Sequence, residues 1–247
     1  LFGGYNHYSR LLLLQKYFGS IPLFLRNMLV FSSQLMPFGS KFRNYLRCLD
    51  NSLYANLPMT ANYFDPITRS KLMPKYSCSA DAELIWRERV PPQQDIIQSA
   101  TRMDFYNYLP EDILVKIDRA SMAHSLEVRA PFLDMNLVEF AFSKIPSYLK
   151  VKTNNKKILL KKLSERVLPK KFDLKRKQGF SIPLNDWLKS GPYRDLFWDV
   201  LTDRDIIFDR NTVLKLLKRQ DRGFNNGERL YALVQFELWR RNFRAYL

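Results

Sequence analysis

Apolar residues recur at spacings of three and four along most of the chain, and long stretches contain neither glycine nor proline. This spacing is typical of amphipathic helices. Runs in which apolar and polar residues alternate are short and isolated, so the pattern predicts few strands and a mainly α fold. The predicted helices cover residues 5–17, 22–35, 39–50, 81–88, 93–108, 110–124, 135–145, 154–167, 184–190, 193–202, 209–220 and 226–243.

Two stretches interrupt the helical pattern. Residues 51–80 carry Pro58, Pro66 and Pro74 among scattered asparagine and serine residues, and they are predicted to form a loop. Residues 169–183 are predicted to form a second loop, which holds the densest positive charge of the chain.

The helix over 110–124 has the clearest signals. Pro110 fits the first helical position, where a missing N–H costs nothing, and Glu111 and Asp112 complement the positive end of the helix dipole. Asp112, Lys116 and Arg119 share one face at spacings of four and three. The residues predicted to form a buried stripe are Ile113, Leu114, Ile117, Ala120 and Ser121.

The last predicted helix is apolar on more than one side, which is typical of a helix inside a core. We therefore predict that its apolar residues serve packing and not ligand binding. They are Leu230, Ala232, Leu233, Phe236, Leu238, Trp239 and Phe243.

Composition describes a globular and strongly basic chain. Of its 247 residues 46% are hydrophobic and 14% aromatic, and 40 Lys+Arg against 24 Asp+Glu give a net charge of +16. Such a charge suits nucleic acid, an anionic membrane surface, phosphorylated ligands or an acidic partner segment. No run approaches the roughly 20 apolar residues of a membrane span. A basic helical nucleic-acid-binding module stays open, although the basic residues are spread along the chain and form no known motif.

The residues that carry chemistry are few. Cys48, Cys78 and the two histidines cannot form a disulfide framework or a four-ligand zinc site, which favours free thiols in the cytoplasm. Only 8 glycines occur and no Gly-rich phosphate loop can be found. In the basic loop, Gly179 allows a turn that could direct Lys177 at a phosphoryl group, although a solvated basic loop is the simpler interpretation of these residues alone.

Five segments resemble the synthetase domain of glutamine-hydrolysing asparagine synthetases, in the order of that family. The run over 108–123, YLPEDILVKIDRASMA, continues into E-x-R-x-P-F-L-D at 127–134. Residues 157–160 and the RKQGF segment at 176–180 follow, and the opening residues 1–8 resemble the stretch that follows the family's acidic G-D-G-G-D-E segment.

The resemblance implies that residues 1–247 are the helical C-terminal part of a synthetase domain. The family's domain is an α/β fold of the PP-loop ATP pyrophosphatase type, similar to adenine-nucleotide α-hydrolases, and its S-G-G-x-D-S loop lies before the segment that matches Leu1. The chain begins with Leu. We therefore expect a fragment from which the PP-loop half and the N-terminal glutaminase domain are absent, and which is inactive alone.

The activity implied by the resemblance is ATP-dependent amidation of a carboxylate, aspartate in the family, through an acyl-adenylate. Ammonia comes from glutamine at the glutaminase domain, through which a homodimer could form. ATP and Mg²⁺ would be bound mainly by the absent half, with no metal ligand from this chain. An amidotransferase that acts on a sugar acid of a polysaccharide pathway stays open as the alternative substrate class.

The resemblance also assigns roles to individual residues. Lys177 matches the family's catalytic lysine, and Lys116 lies where the family places a cation that faces pyrophosphate. Asp118, Arg119, Tyr5 and Gly179 match positions in or beside the same site. Three further motif residues are expected to be structural, Glu127 and Arg129 as an internal ion pair and Asp134 as a helix cap.

Overall fold

The computed structural model describes residues 1–18, 20–37, 40, 43–47, 49, 57, 63–76, 81–91, 95–172 and 182–244. The chain divides into two compact units. The first comprises Leu1–Met28, Cys48–Ala61 and Ala82–Gln178, and the second comprises Leu29–Arg47, Asn62–Asp81 and Gly179–Leu247.

The described residues are mostly helical, as the sequence predicts, with one two-stranded antiparallel hairpin. The elements in chain order are α1 (Asn6–Phe18), α2 (Leu23–Leu35), α3 (Arg43–Arg47), α4 (Pro66–Leu72), α5 (Asp81–Glu88), α6 (Ile96–Met103), a π-helix (Asp104–Leu114), α7 (Val115–Met122), a 3₁₀ turn (Pro131–Leu133), α8 (Met135–Ser143), α9 (Ser147–Lys150), β1 (Val151–Lys152), β2 (Asn155–Lys156), α10 (Ile158–Val167), α11 (Leu184–Trp187), α12 (Pro192–Thr202), α13 (Arg210–Asp221) and α14 (Gly227–Asn242).

The core of the first unit forms where α1 packs against α6. Asp95 fixes the start of α6, because its carboxylate accepts hydrogen bonds from the amides of Ile97 and Gln98 at 2.8 and 2.9 Å. Helix α6 presents its apolar face to α1. The residues buried between these elements are Tyr8, Leu11, Ile96, Ile97, Ala100, Met103 and Val151. Phe2, Ala141 and Ile145 form a second, smaller cluster.

The core of the second unit is built by α12, α13 and α14, together with Leu72 at the end of α4. Asp209 begins α13 by accepting from the amide of Thr212 at 2.7 Å. Leu230 and Leu233 of the last helix are buried, as predicted. Leu238, Trp239 and Phe243 are exposed, so the prediction that the whole apolar surface of this helix is core is wrong at its C-terminal end.

Pro110 does not begin a helix, contrary to the prediction. The predicted helices over 93–108 and 110–124 are one continuous helical run, in which α6, the π-helix and α7 follow one another directly and Pro110 lies inside the π-helix. A proline ring in an α-helix clashes with the carbonyl four residues earlier. The wider turn of a π-helix relieves this clash, since its bonds join residues five apart.

The predicted loop over 51–80 contains a helix, α4, that the sequence interpretation missed. The prolines of this stretch favour a loop, but Pro66 occupies the first turn of α4 directly after the N-cap Asp65. The Asp65 carboxylate accepts from the amide of Thr68 at 2.9 Å and from its hydroxyl at 2.6 Å. This is the position at which proline favours a helix.

The predicted helix over 154–167 is shorter than expected. Its first residues form the β-hairpin, in which Val151 pairs with Lys156 and Lys152 with Asn155. Lys157 follows in the left-handed conformation, with φ 54°, so α10 begins only at Ile158. A non-glycine residue with positive φ is uncommon, and the apolar spacing alone gives no indication of it.

Candidate functional site

Tyr5 lies just before α1 and contacts the π-helix. Its ring packs edge to face on Tyr108 with centroids 5.9 Å apart, and the two hydroxyls share a hydrogen bond. Burial raises the pKa of Tyr5, and the nearby Asp104 carboxylate raises it further. The phenol is therefore protonated at neutral pH and can donate a hydrogen bond.

Gly3 allows the chain to reach this position. It adopts φ 67°, and a Cβ added there would lie 2.2 Å from Cγ2 of Val151. A side chain at this residue would displace β1 or the residues before Tyr5. Gly3 is therefore required because the backbone at this position packs closely against Val151.

Asp104, at the start of the π-helix, joins α1 to the π-helix. Its Oδ2 lies 3.0 Å from Nε2 of His7 and accepts a hydrogen bond from the hydroxyl of Tyr8. Burial, followed by the Asp104 charge and this hydrogen bond, raises the pKa of Tyr8 well above its ordinary value. No local pattern in the sequence indicates this cluster, because Asp104 lies 97 residues from His7.

Lys116, Asp118 and Arg119 all lie on α7, and all three side chains are exposed. Nζ of Lys116 is 3.7 Å from Oδ1 of Asp112, one turn earlier. The Asp112 carboxylate also raises the pKa of Tyr5, but less than burial and Asp104 do. Residues two apart on an α-helix differ by about 200° in direction, so Asp118 projects away from Lys116.

The three residues expected to be structural show a mixed outcome. The Glu127 carboxylate forms an ion pair with Arg129, but the side chains are 69% and 87% exposed, so the expectation of an internal pair is wrong. Exposed ion pairs contribute little to stability. Asp134 is the N-cap of α8, because its Oδ1 accepts from the amide of Leu137 at 3.2 Å.

Lys177 and Gly179 lie outside the described residues, so their roles stay predictions. Among the residues that the structure describes, no group of three or more His, Cys, Asp or Glu side chains is placed to hold a metal ion. None of the described helices is both long and apolar enough to cross a membrane.

Comparison with known proteins places the chain in a family. The sequence model of the family described as asparagine synthase matches residues 1–241. The chain belongs to the asparagine synthase family. No solved structure matches it.

The curated relatives carry names consistent with this family. The chain is 30% identical over 246 residues to asparagine synthetase [glutamine-hydrolyzing] 1 of Bacillus subtilis. This alignment covers 97% of the chain and 38% of that protein. It is 27% identical over 255 residues to the putative asparagine synthetase [glutamine-hydrolyzing] of Mycobacterium tuberculosis, covering 97% of the chain and 37% of that protein. The chain thus spans less than two fifths of these relatives.

Proposed function

We propose that this chain is the helical part of the synthetase domain in a longer ATP-dependent amidotransferase. The match of the asparagine synthase model to residues 1–241 is the observation that carries the proposal. The named relatives are longer than the chain, which supports a PP-loop half and a glutaminase domain on other parts of the polypeptide. The chain alone is then inactive, because the nucleotide loop is not part of it.

The proposed reaction has two steps. A carboxylate oxygen of the acceptor attacks the α-phosphorus of ATP, the bond to pyrophosphate breaks, and an acyl-adenylate forms. Ammonia from glutamine then attacks the acyl carbon, loses a proton, and AMP leaves with the oxygen that joined the two parts. Negative charge builds on phosphate oxygens in the first step, so positioned cations lower its barrier.

The residues of this chain supply those cations in the proposal. Lys177 stabilises charge at the reacting phosphorus, and Gly179 lets its loop approach the nucleotide. Lys116 and Arg119 share a face of α7, which suits them to bind the departing pyrophosphate. Tyr5, which stays protonated and packs on Tyr108 of the π-helix, donates a hydrogen bond to the substrate in the proposal.

Replacing Lys177 in the longer protein tests this assignment. Lys177→Ala should lower the turnover of carboxylate-dependent pyrophosphate release by roughly two orders of magnitude or more, as loss of a transition-state charge partner does. The KM for ATP should change much less. Lys162→Ala, which removes an exposed lysine of α10, is the matched control and should keep the wild-type rate. A Lys177→Ala enzyme with full turnover would show that the lysine has been assigned wrongly.

The acceptor is proposed to be aspartate or a similar carboxylate, with a sugar acid as the second candidate. The same pyrophosphate assay, run with aspartate, glutamate and uronic acids in turn, separates them. The names of the relatives favour aspartate. Pyrophosphate release that depends on a uronic acid and not on aspartate would instead support the polysaccharide alternative.

A further inference from the structure

The second unit contains a polar cavity of about 640 Å³. It is bordered by α11, the start of α12, the end of α13 and the turn that leads to α14. Sites for small organic ligands have volumes of about 300–1,000 Å³. None of the described residues assigned to the candidate site lines this cavity. Its lining includes four uncharged side chains that form hydrogen bonds, Asn185, Ser190, Gln220 and Asn225.

Hydrogen bonds between side-chain amides hold the wall of the cavity together. Oδ1 of Asn185 accepts from Nε2 of Gln220 at 3.1 Å, and its Nδ2 donates to Oδ1 of Asn225 at 2.9 Å. Gln220 is only 9% exposed, and its Oε1 accepts from the backbone amide of Asn226 at 2.8 Å. These bonds join α11, α13 and the turn before α14, so the polar groups are positioned before any ligand binds.

The wall keeps hydrogen-bonding capacity that these contacts do not use. A side-chain amide has two N–H donors. One N–H of Asn185, one of Gln220 and both of Asn225 have no acceptor among the residues that the structure describes. The two oxygens of Asp221 each accept one bond from Arg194, at 3.2 and 2.9 Å, which leaves a lone pair on each. The cavity therefore offers both donors and acceptors to a ligand.

The charges around the cavity are already paired. Nζ of Lys189 lies 2.7 Å from Oδ1 of Asp186, and the guanidinium of Arg194 is bound by Asp221. A phosphate ligand is normally bound by cations that are free to form charge-assisted hydrogen bonds. An apolar ligand would instead leave the amides without partners. Both considerations favour an uncharged ligand that carries many hydroxyl groups.

The backbone at two glycines borders open space. Gly191 precedes α12 and Gly223 follows α13, with φ 87° and 85°, and a Cβ added at either would meet nothing within 4 Å. Both glycines line the cavity, so a ligand can approach the backbone there. Phe224, the next residue, adds an aromatic ring to the lining. Aromatic rings pack well against the C–H face of a pyranose, because the face of the ring is electron-rich.

We propose that this cavity binds a saccharide. Asn185, Asn225 and Asp221 form hydrogen bonds to its hydroxyl groups, and Phe224 contacts a C–H face. Each sugar hydroxyl donates and accepts, which matches a wall that presents amide donors and carboxylate acceptors. The described lining lies within the second unit, and the proposal does not rest on the proposed reaction or on its acceptor.

Saturation-transfer NMR on the full protein encoded by the gene tests the proposal. The probes are glucose, galactose, mannose, N-acetylglucosamine and glucuronic acid, with inorganic phosphate and adenosine as competitors. Asn225→Ala removes both free donors, and Gly223→Asn places a side chain in the open space, since asparagine tolerates the left-handed conformation. Asn211→Ala is the matched control, because Asn211 is an exposed asparagine of α13 outside the cavity lining.

We expect saturation transfer to at least one of the sugars. Its Kd should rise at least about tenfold in Asn225→Ala and in Gly223→Asn, through lost hydrogen bonds in the first and steric exclusion in the second. Asn211→Ala should stay within about twofold of wild type. Near-UV circular dichroism reports whether each variant folds, and either cavity variant tests the proposal if the other does not fold.

Three outcomes contradict the proposal. No transfer to any of the sugars would show that the cavity is not a saccharide site. Sugar binding that both cavity variants leave unchanged would place the sugar on another surface. Binding of phosphate or adenosine but of no sugar would assign the cavity to another class of ligand. The measurement omits ATP and needs no turnover, so these outcomes are separate from a failure of the proposed reaction.

Discussion

At the scale of single residues, Lys150 has the least usual environment. Its side chain is fully buried, its Nζ donates to Oε1 of Gln98 at 3.1 Å, and it lies 5.0 Å from the ring centroid of Phe142. Burial lowers its pKa to about 8, and the nearby Arg102 guanidinium adds to this, against a smaller opposite effect of Asp95. A lysine with this pKa makes stability depend on pH in the alkaline range.

The direction of this dependence follows from proton binding. Between pH 8 and the ordinary lysine value of 10.5, the unfolded chain binds more protons at this residue than the folded chain does, so stability rises with pH. The expected gain from pH 8 to pH 10 is about 2 kcal/mol. Above about pH 10 the raised pKa of Tyr8 acts in the opposite direction, because the folded phenol keeps its proton.

Urea unfolding of Lys150→Met at pH 8, 9 and 10 measures this contribution. The variant should be more stable than wild type at pH 8 and should show a much smaller rise toward pH 10. Gln98 keeps a donor in the variant, because Arg102 also donates to its Oε1, at 2.8 Å. Lys152→Met, at an exposed lysine of β1, should retain the wild-type slope. An unchanged slope in Lys150→Met would contradict the assignment.

Two aspartate caps of the second unit allow a matched comparison. Asp65 and Asp209 each bind the amide and hydroxyl of a threonine three residues later, but only Asp65 also contacts the buried guanidinium groups of Arg43 and Arg47. Burial raises the pKa of Asp65, but the Thr68 hydrogen bonds and the two arginines outweigh it, so the net pKa is lowered. The charge of Asp65 thus compensates buried positive charge.

Replacing each cap with asparagine should separate capping from charge compensation. Asp65→Asn should lower the free energy of unfolding by about 3 kcal/mol or more, because two buried arginines lose this carboxylate. Asp209→Asn should cost about 1 kcal/mol or less, since asparagine is also a good N-cap. Chemical denaturation at neutral pH measures both, and equal losses would show that the arginines do not depend on Asp65.

At the scale of elements, the π-helix depends on Asn107. This residue is fully buried, and its Nδ2 donates to the carbonyls of Trp86 and Met103, both at 3.1 Å. Trp86 belongs to α5, so one amide joins two elements. In an α-helix, the backbone amide of residue 107 would donate to the carbonyl of Met103, four residues earlier. In a π-helix the backbone hydrogen bonds join residues five apart, and here the side-chain amide of Asn107 donates to that carbonyl instead.

Asn107→Leu keeps the approximate size of the side chain but removes both donors. The carbonyls of Trp86 and Met103 then lose this donor and Arg89 loses its acceptor on Oδ1, 3.3 Å away, so the free energy of unfolding should fall by about 2 kcal/mol. Hydrogen exchange should increase in the π-helix and in α5. Asn136→Leu, at an exposed position of α8, should stay within about 0.5 kcal/mol of wild type. A similarly small effect at residue 107 would mean that the π-helix does not need this amide.

The elements also show what periodicity can predict. Spacing located α1, α2, α5, α8 and the last four helices within a few residues. In α12, α13 and α14 the periodic apolar residues are buried in the core of the second unit. Spacing failed at Pro66 and Pro110 because proline favours the first turn of a helix but disrupts the interior of an α-helix, and the surrounding structure decides which applies. Asp65 was a readable cap signal for the first, whereas the wide turn around the second depends on contacts such as that with Trp86.

At the scale of the whole molecule, the sequence predicted the family and much less of the site. Motif order along the chain was sufficient for family membership, and the asparagine synthase match to residues 1–241 confirms it. The sequence could not predict that Asp104 joins His7 and Tyr8, because long-range partners leave no local pattern. It wrongly predicted burial for Ile117, which is 42% exposed, because a helical pattern specifies a face and not how far that face is covered.

The central claim is that the longer protein activates a carboxylate by adenylation, and oxygen transfer tests it most directly. The full protein is given ATP, Mg²⁺, glutamine and aspartate labelled with ¹⁸O in its side-chain carboxylate, and the products are read by mass spectrometry. The account predicts AMP with one ¹⁸O on its phosphate and an amide that keeps the other. Formation of ADP with ¹⁸O in inorganic phosphate, or of AMP without label, would contradict it.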